Sequence, residues 1–133
     1  MTDMGKFILD SKEFGEMELN EEEGVYACEA DWLGHTVRIT MPAEAEDILW
    51  NFAVLEQFYS EREGWDSHLR KNAADQLLEM AKSADPSITA EEFIRRLTPK
   101  EVRLITSTMV CMVYSDGGML GGVDLTVYAP FSE

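Results

Sequence analysis

The chain has 133 residues, 45% of them hydrophobic, enough for one domain (1–133) with an ordinary core and too few polar residues for wholesale disorder. Its 26 acidic side chains against 11 basic ones give a net charge of -15, which repels nucleic acid and anionic membranes and leaves a basic protein as the partner that charge would attract. No apolar run approaches the roughly 20 residues needed to cross a bilayer, and residues 1–11 lack a basic start followed by an apolar stretch.

From the N-terminus, residues 6–10 and 14–19 alternate in polarity, with Phe7 and Leu9, then Met17 and Leu19, predicted to face inward. Residues 20–24 make a polar turn containing Glu21, Glu22 and Glu23. Residues 24–32 alternate again, with Tyr26, Cys28, Ala30 and Trp32 on the inner face. Leu33 and Gly34 turn the chain into residues 35–41, where Val37, Ile39 and Met41 point inward. The prediction is an antiparallel four-strand meander, ended by Pro42.

From Glu44 the period changes from two to 3.6. Ile48, Phe52, Leu55 and Tyr59 form a helical stripe broadened by Leu49, Trp50, Val54 and Phe58, and Trp50, like Trp32, is expected in the core. Gly64 is predicted to break this helix. Asp66 or Ser67 would open a second, with Leu69, Ala73, Leu77, Met80 and Ala81 on one face. Residues 85–87 read as a loop. Thr89 and Glu92 then have the spacing of a capping box, and Ile88 and Phe93 that of a hydrophobic staple, marking a short helix that Pro99 ends near Leu97.

Residues 101–106, 109–114 and 123–128 read as a closing three-strand meander. Ser107 and Thr108 form its first turn and residues 115–118, with Asp116 and Gly117, its second. An Asp-Gly turn between two such runs is the strongest local hairpin signal in the chain, with Val123, Leu125 and Val127 on one face and Asp124, Thr126 and Tyr128 on the other. Strands, helices and then strands make an α+β fold, expected as an antiparallel sheet with two longer helices and one short one between its two meanders.

Trp32-Leu33-Gly34, Trp65-Asp66, residues 88–93 (Ile-Thr-Ala-Glu-Glu-Phe) and Asp116-Gly117 together resemble an uncharacterised bacterial family, DUF2262, over nearly the whole chain. Gly121-Gly122 stands where the family pattern has a Gly-His pair. The resemblance implies no established activity. Some small acidic families of this kind resemble immunity proteins encoded beside bacterial toxins.

Little chemistry is visible. His35 and His68 are distant in sequence, and neither has a Cys, Asp or Glu at metal-ligand spacing, so no metal and no cofactor is expected. Cys28 and Cys111 are too few for a disulfide framework, and both are placed at inward strand positions as reduced thiols of a cytoplasmic protein. Gly117-Gly118 and Gly121-Gly122 lead into a strand rather than a helix and lack a nearby Lys, so they do not form a phosphate loop. No catalytic residue is assigned. The candidate partner-binding residues are Glu21, Glu22 and Glu23, which lack calcium-loop spacing and make either a solvated turn or a basic-partner contact, together with Trp65 and His68. Trp65 lies beside Glu61, Glu63 and Asp66, as an anchor within an acidic rim or as a plug between helices. The function expected is non-enzymatic protein binding through an acidic surface. The alternative is an enzyme or small-ligand domain whose pocket is assembled from distant residues. A homo-oligomer stays open.

Overall fold

The structure is a computed structural model and describes residues 8–130; the predicted inward Phe7 lies outside them. Strands β1 (Ile8–Ser11), β2 (Gly15–Asn20), β3 (Val25–Trp32) and β4 (His35–Pro42) precede helices α1 (Ile48–Ser60), α2 (Arg62–Ala84) and α3 (Ala90–Arg96). Strands β5 (Thr98–Thr106), β6 (Met109–Ser115) and β7 (Asp124–Pro130) follow. The seven strands form one sheet in sequence order.

The sheet is mixed rather than antiparallel throughout. β4 and β5 run parallel, with Ile39 beside Val102, and every other neighbouring pair is antiparallel. The reason is the connection. A hairpin reverses the chain, whereas the three helices carry it back across the sheet, so β5 starts in the direction of β4. Trp32, Val37, Ile39, Met41, Val102, Leu104, Met112 and Tyr114 share one buried cluster with Leu55, Phe58, Leu69 and Phe93. Strand alternation therefore places the helices on one face of the sheet and polar residues such as Glu29, Arg38 and Arg103 on the other.

The helix boundary differs from expectation. Gly64 keeps a right-handed conformation inside α2, and the break falls at Glu61, whose φ of -105° and ψ of 26° leave the helical region. Asp66 consequently opens nothing; it is a buried residue of the second turn of α2, and His68 lies there too rather than in a first turn. Trp50 is 47% exposed and Leu49 72%, not core: the buried side of α1 runs through Asn51, Val54, Leu55, Phe58 and Tyr59 and leaves the first turn facing out. Met80 is exposed as well, because the buried face of α2 follows Leu69, Ala73, Ala74 and Ala81.

At α3 the Thr89 hydroxyl accepts from the Glu92 amide at 3.1 Å, as the capping pattern predicts, and Ile88 and Phe93 are buried. β6 is buried along residues 110–114, on both faces. Val110, Met112 and Tyr114 belong to the core, so Cys111 faces the opposite side and not inward as expected. Its direct neighbours there are Arg103 and Tyr128, and its burial lifts the thiol pKa.

The β6–β7 connection is a longer loop than an Asp-Gly hairpin turn, and Val123 is exposed within it. Asp116 organises it. Its carboxylate is fully buried and accepts from the amides of Gly118 (2.8 Å), Leu120 (2.8 Å), Gly122 (3.1 Å) and Val123 (3.2 Å). Burial alone would raise its pKa, but those four donors more than offset it and hold the carboxyl below its ordinary value. Gly117 has φ +65°, and a Cβ there would sit 2.7 Å from the Arg96 carbonyl oxygen, so glycine is required by both conformation and space.

Candidate functional site

Two groups of acids dominate the molecule. The first is buried. Asp66 Oδ1 accepts from Trp32 Nε1 at 3.0 Å and from the Tyr114 hydroxyl at 2.7 Å, while Oδ2 meets Arg70 Nε at 2.7 Å. Arg70 also donates to the carbonyls of Ile94 and Leu97, both at 2.7 Å, closing the end of α3. This network ties α2 to β3, β6 and α3 with its donors and acceptors matched. Burial, and then the Asp66 carboxylate, push the Tyr114 hydroxyl pKa far up. Its chemistry is spent within the fold, on which a reacting substrate has no opening.

The second group is exposed and lies on β2, β3 and the segment leading into α1. Glu21, Glu22 and Glu23 occupy the β2–β3 turn, which is closed by the Gly24 amide on the Asn20 carbonyl (2.9 Å). The Asn20 side-chain oxygen accepts from the Glu23 amide at 3.0 Å. Glu23 is engaged by Arg38 at 2.5 Å. Next to this turn a cleft of about 520 Å³ is lined by Leu19, Tyr26, Ala43 and Ile48, with Glu21 and Glu44 on its rim. The exposed Leu49 and Trp50 follow directly on Ile48, and the chain just before them carries Glu44, Glu46 and Asp47. The Asp47 side chain accepts from the Trp50 amide at 3.3 Å and fixes the start of α1. The corner is thus apolar at its centre and acidic around it.

The predicted site residues do not come together. Trp65 is half-buried, its ring 5.2 Å from Phe58 and 6.1 Å from the exposed His68, whose ring nitrogen lies 3.4 Å from the Asn72 amide nitrogen. These residues lie near the Trp32 end of β3, where Asp66 bonds Trp32. The acidic turn is at the Val25 end, and eight residues of strand separate the two by roughly 25 Å. The structure therefore joins Glu21 to Glu44 around Leu19, Tyr26, Ala43 and Ile48, while Trp50, two residues past Ile48 on α1, lies outside that lining. The signal that could have shown Trp50 to be exposed was Glu44, Glu46 and Asp47: three acids directly before a helix make its first turn a solvated one.

β2 and β3 form a second cleft, of about 750 Å³. β2 pairs with β1 from Gly15 to Glu18 but with β3 only from Glu18 to Asn20, so the sheet parts between Gly15 and Glu18 on one side and Ala27 and Glu29 on the other. The cause lies at the β1–β2 turn. Ser11 Oγ donates to Glu56 of α1 at 2.7 Å, and the Phe14 ring stands edge-on to Phe52 (5.8 Å) and Tyr59 (5.5 Å), drawing this end of β2 onto the helix. Leu19 and Glu21 line both clefts.

Among the described residues no group of three or more His, Cys, Asp or Glu side chains is placed to hold a metal ion, and no helix is long and apolar enough to cross a membrane. Burial, and then Glu29, push the Cys28 thiol up to about 11, so it is protonated and unreactive at neutral pH.

A family model described as an uncharacterised protein conserved in bacteria (DUF2262) matches residues 5–132. The chain belongs to this family. No curated protein and no solved structure matches it. Membership of DUF2262 agrees with the resemblance carried by Trp32-Leu33-Gly34, residues 88–93 and Asp116-Gly117, residues whose work in this DUF2262 protein is structural: a strand turn, a helix start and a loop anchor.

Proposed function

We propose that this DUF2262 chain is a non-enzymatic protein-binding domain that takes a basic partner at the corner between the β2–β3 turn and the first turn of α1. The observation that carries this reading is the apolar cleft of Leu19, Tyr26, Ala43 and Ile48, whose rim is made of Glu21 and Glu44. Apolar surface left open to water is costly, and an apolar centre with a polar rim is the composition of a binding patch. The acids around it select the sign of the partner and accelerate its approach, while the net charge of -15 discourages a second copy of the same chain, nucleic acid or an anionic membrane. An enzyme or small-ligand reading is less supported: the buried carboxylates with unusual surroundings, Asp66 and Asp116, are saturated by structural donors. The free thiols Cys28 and Cys111, set on opposite faces of the sheet, suit the reducing cytoplasm.

The test places a photo-crosslinking amino acid at the exposed rim residue Glu44 in living cells and follows the captured species with purified components. A basic protein is expected, with an association rate that falls as salt rises and falls again when Glu21, Glu22 and Glu23 are replaced by Gln, while dissociation changes little. A captured protein whose association rate ignores both salt and these substitutions would refute the reading.

A further inference from the structure

The gap between β2 and β3 offers the polar edge of a strand. β3 is paired with β4 along its whole length, from Val25 to Trp32, but with β2 only up to Ala27. Beyond Ala27 its other edge faces the cleft. At the far end the Tyr59 hydroxyl donates to the Asp31 carbonyl, which shows that the polar groups of Asp31 point this way. In an antiparallel strand the backbone groups of every second residue point to the same side, so those of Glu29 point into the cleft as well. On the opposite wall Gly15 and Glu16 belong to the half of β2 that pairs with β1 alone. A strand edge left open within a sheet is a template for a further strand.

The side chains around the gap say which strand fits. Met17 is fully buried in the core and Cys28 packs against it. Alternation then sends Glu16, Glu18 and Glu29 to the helix-free face. Five carboxylates line the cleft, those of Glu16, Glu18, Glu21, Glu22 and Glu29, and no basic side chain does. The apolar lining, Phe14, Leu19 and Cys28, belongs to the helix-facing side. An entering strand would therefore meet carboxylates on one face and apolar surface on the other.

We infer that the β2–β3 gap receives an extended segment of the partner protein in which Lys or Arg alternates with apolar residues. Its backbone pairs with the Glu29 edge of β3, its cations lie among Glu16, Glu18 and Glu29, and its apolar side chains face Phe14 and Cys28. This deepens the binding reading above and rests on it, because the gap continues through Leu19 and Glu21 into the cleft of Tyr26, Ala43 and Ile48. A second copy of this chain is the wrong occupant, since it would bring another net charge of -15 to a wall of carboxylates.

The experiment uses the whole chain and a capped lysine–valine octapeptide of strictly alternating sequence, with a glutamate–valine octapeptide and an N-methylated lysine–valine octapeptide as controls. Amide hydrogen exchange is read residue by residue, and Cys28 alkylation is followed over long incubation at mildly alkaline pH, below the range in which the peptide lysines lose their charge. The lysine–valine peptide is expected to slow exchange at Glu29 at least five-fold and to slow Cys28 alkylation, while neither control does so. Glu16→Lys with Glu29→Lys should abolish the protection, and Trp50→Ala should leave it in place. Equal protection by the N-methylated peptide would overturn strand pairing. Protection confined to β7, the outer strand of the sheet, or protection that grows with protein concentration alone, would overturn the site or its occupant. No protection at Glu29, with a crosslinker at Glu44 still capturing a basic protein, would overturn the gap and spare the corner.

Discussion

Asp66 and Asp116 are buried and bonded on both carboxylate oxygens, whereas Glu16, Glu18, Glu21, Glu22 and Glu29 line a cleft that holds no basic side chain. The same functional group serves opposite ends. Within the fold a carboxylate is tolerated only when its donors are supplied, and it then joins elements remote in sequence: Asp66 connects Trp32 and Tyr114, 34 and 48 residues away. On the β2–β3 side five acids line one cleft with no basic side chain in its lining, and the neighbouring cation, Arg38 opposite Glu29 on β4, is engaged by Glu23 and Glu101, an arrangement that suits a surface meeting opposite charge.

Breaking the buried half should have the largest effect. Asp66→Ala strands the indole N–H of Trp32, the Tyr114 hydroxyl and the Arg70 guanidinium, and is expected to cost about 3–5 kcal/mol in urea denaturation. A cost near zero would show that these donors find other partners.

Asp116→Asn sharpens the comparison by pH. Because the folded protein holds this carboxyl below its ordinary value, its contribution is present above the unfolded carboxylate range, near pH 4, and is lost as pH falls through the lower folded value. The variant should be less stable at neutral pH and should show a shallower loss of stability on acidification. Tyr114 has the opposite sense. Its raised pKa contributes stability below the unfolded tyrosine value of about 10, lost as pH rises beyond it, and Tyr114→Phe should flatten that alkaline limb.

Thr89→Ala removes a single cap from an exposed helix start and should cost about 1 kcal/mol. An unchanged denaturation midpoint would mean that the cap adds nothing to the burial of Ile88 and Phe93.

The readable parts of this molecule are those set by local pattern. Two-residue alternation placed Tyr26, Trp32, Val37, Ile39 and Met41 on the inner face, and the spacing of Thr89 and Glu92 placed the start of α3. Misplaced features depend on contacts remote in the chain. The parallel pairing of β4 with β5 follows from how three helices return the chain, which no short window records. Asp66 has the residue type of a cap, and only its contact with Trp32 and Tyr114 reveals a keystone. Trp50 fits the apolar period of α1 and still faces out, because the buried stripe begins one residue later, at Asn51. The β2–β3 gap was the least legible element, since it opens where Ser11 bonds Glu56, 45 residues downstream. The acidic turn was visible as a candidate, but the apolar cleft beside it was not, because Ala43 and Ile48 come to it from a different segment.

The smallest effect is the most direct test, because it concerns the acids to which no structural task falls. Replacing Glu16, Glu18 and Glu29 together by Gln should leave the stability in urea unchanged within about 0.5 kcal/mol or raise it, as like-charge crowding is relieved. A loss of more than about 1 kcal/mol would show that these carboxylates hold the sheet together and would contradict their assignment to a partner.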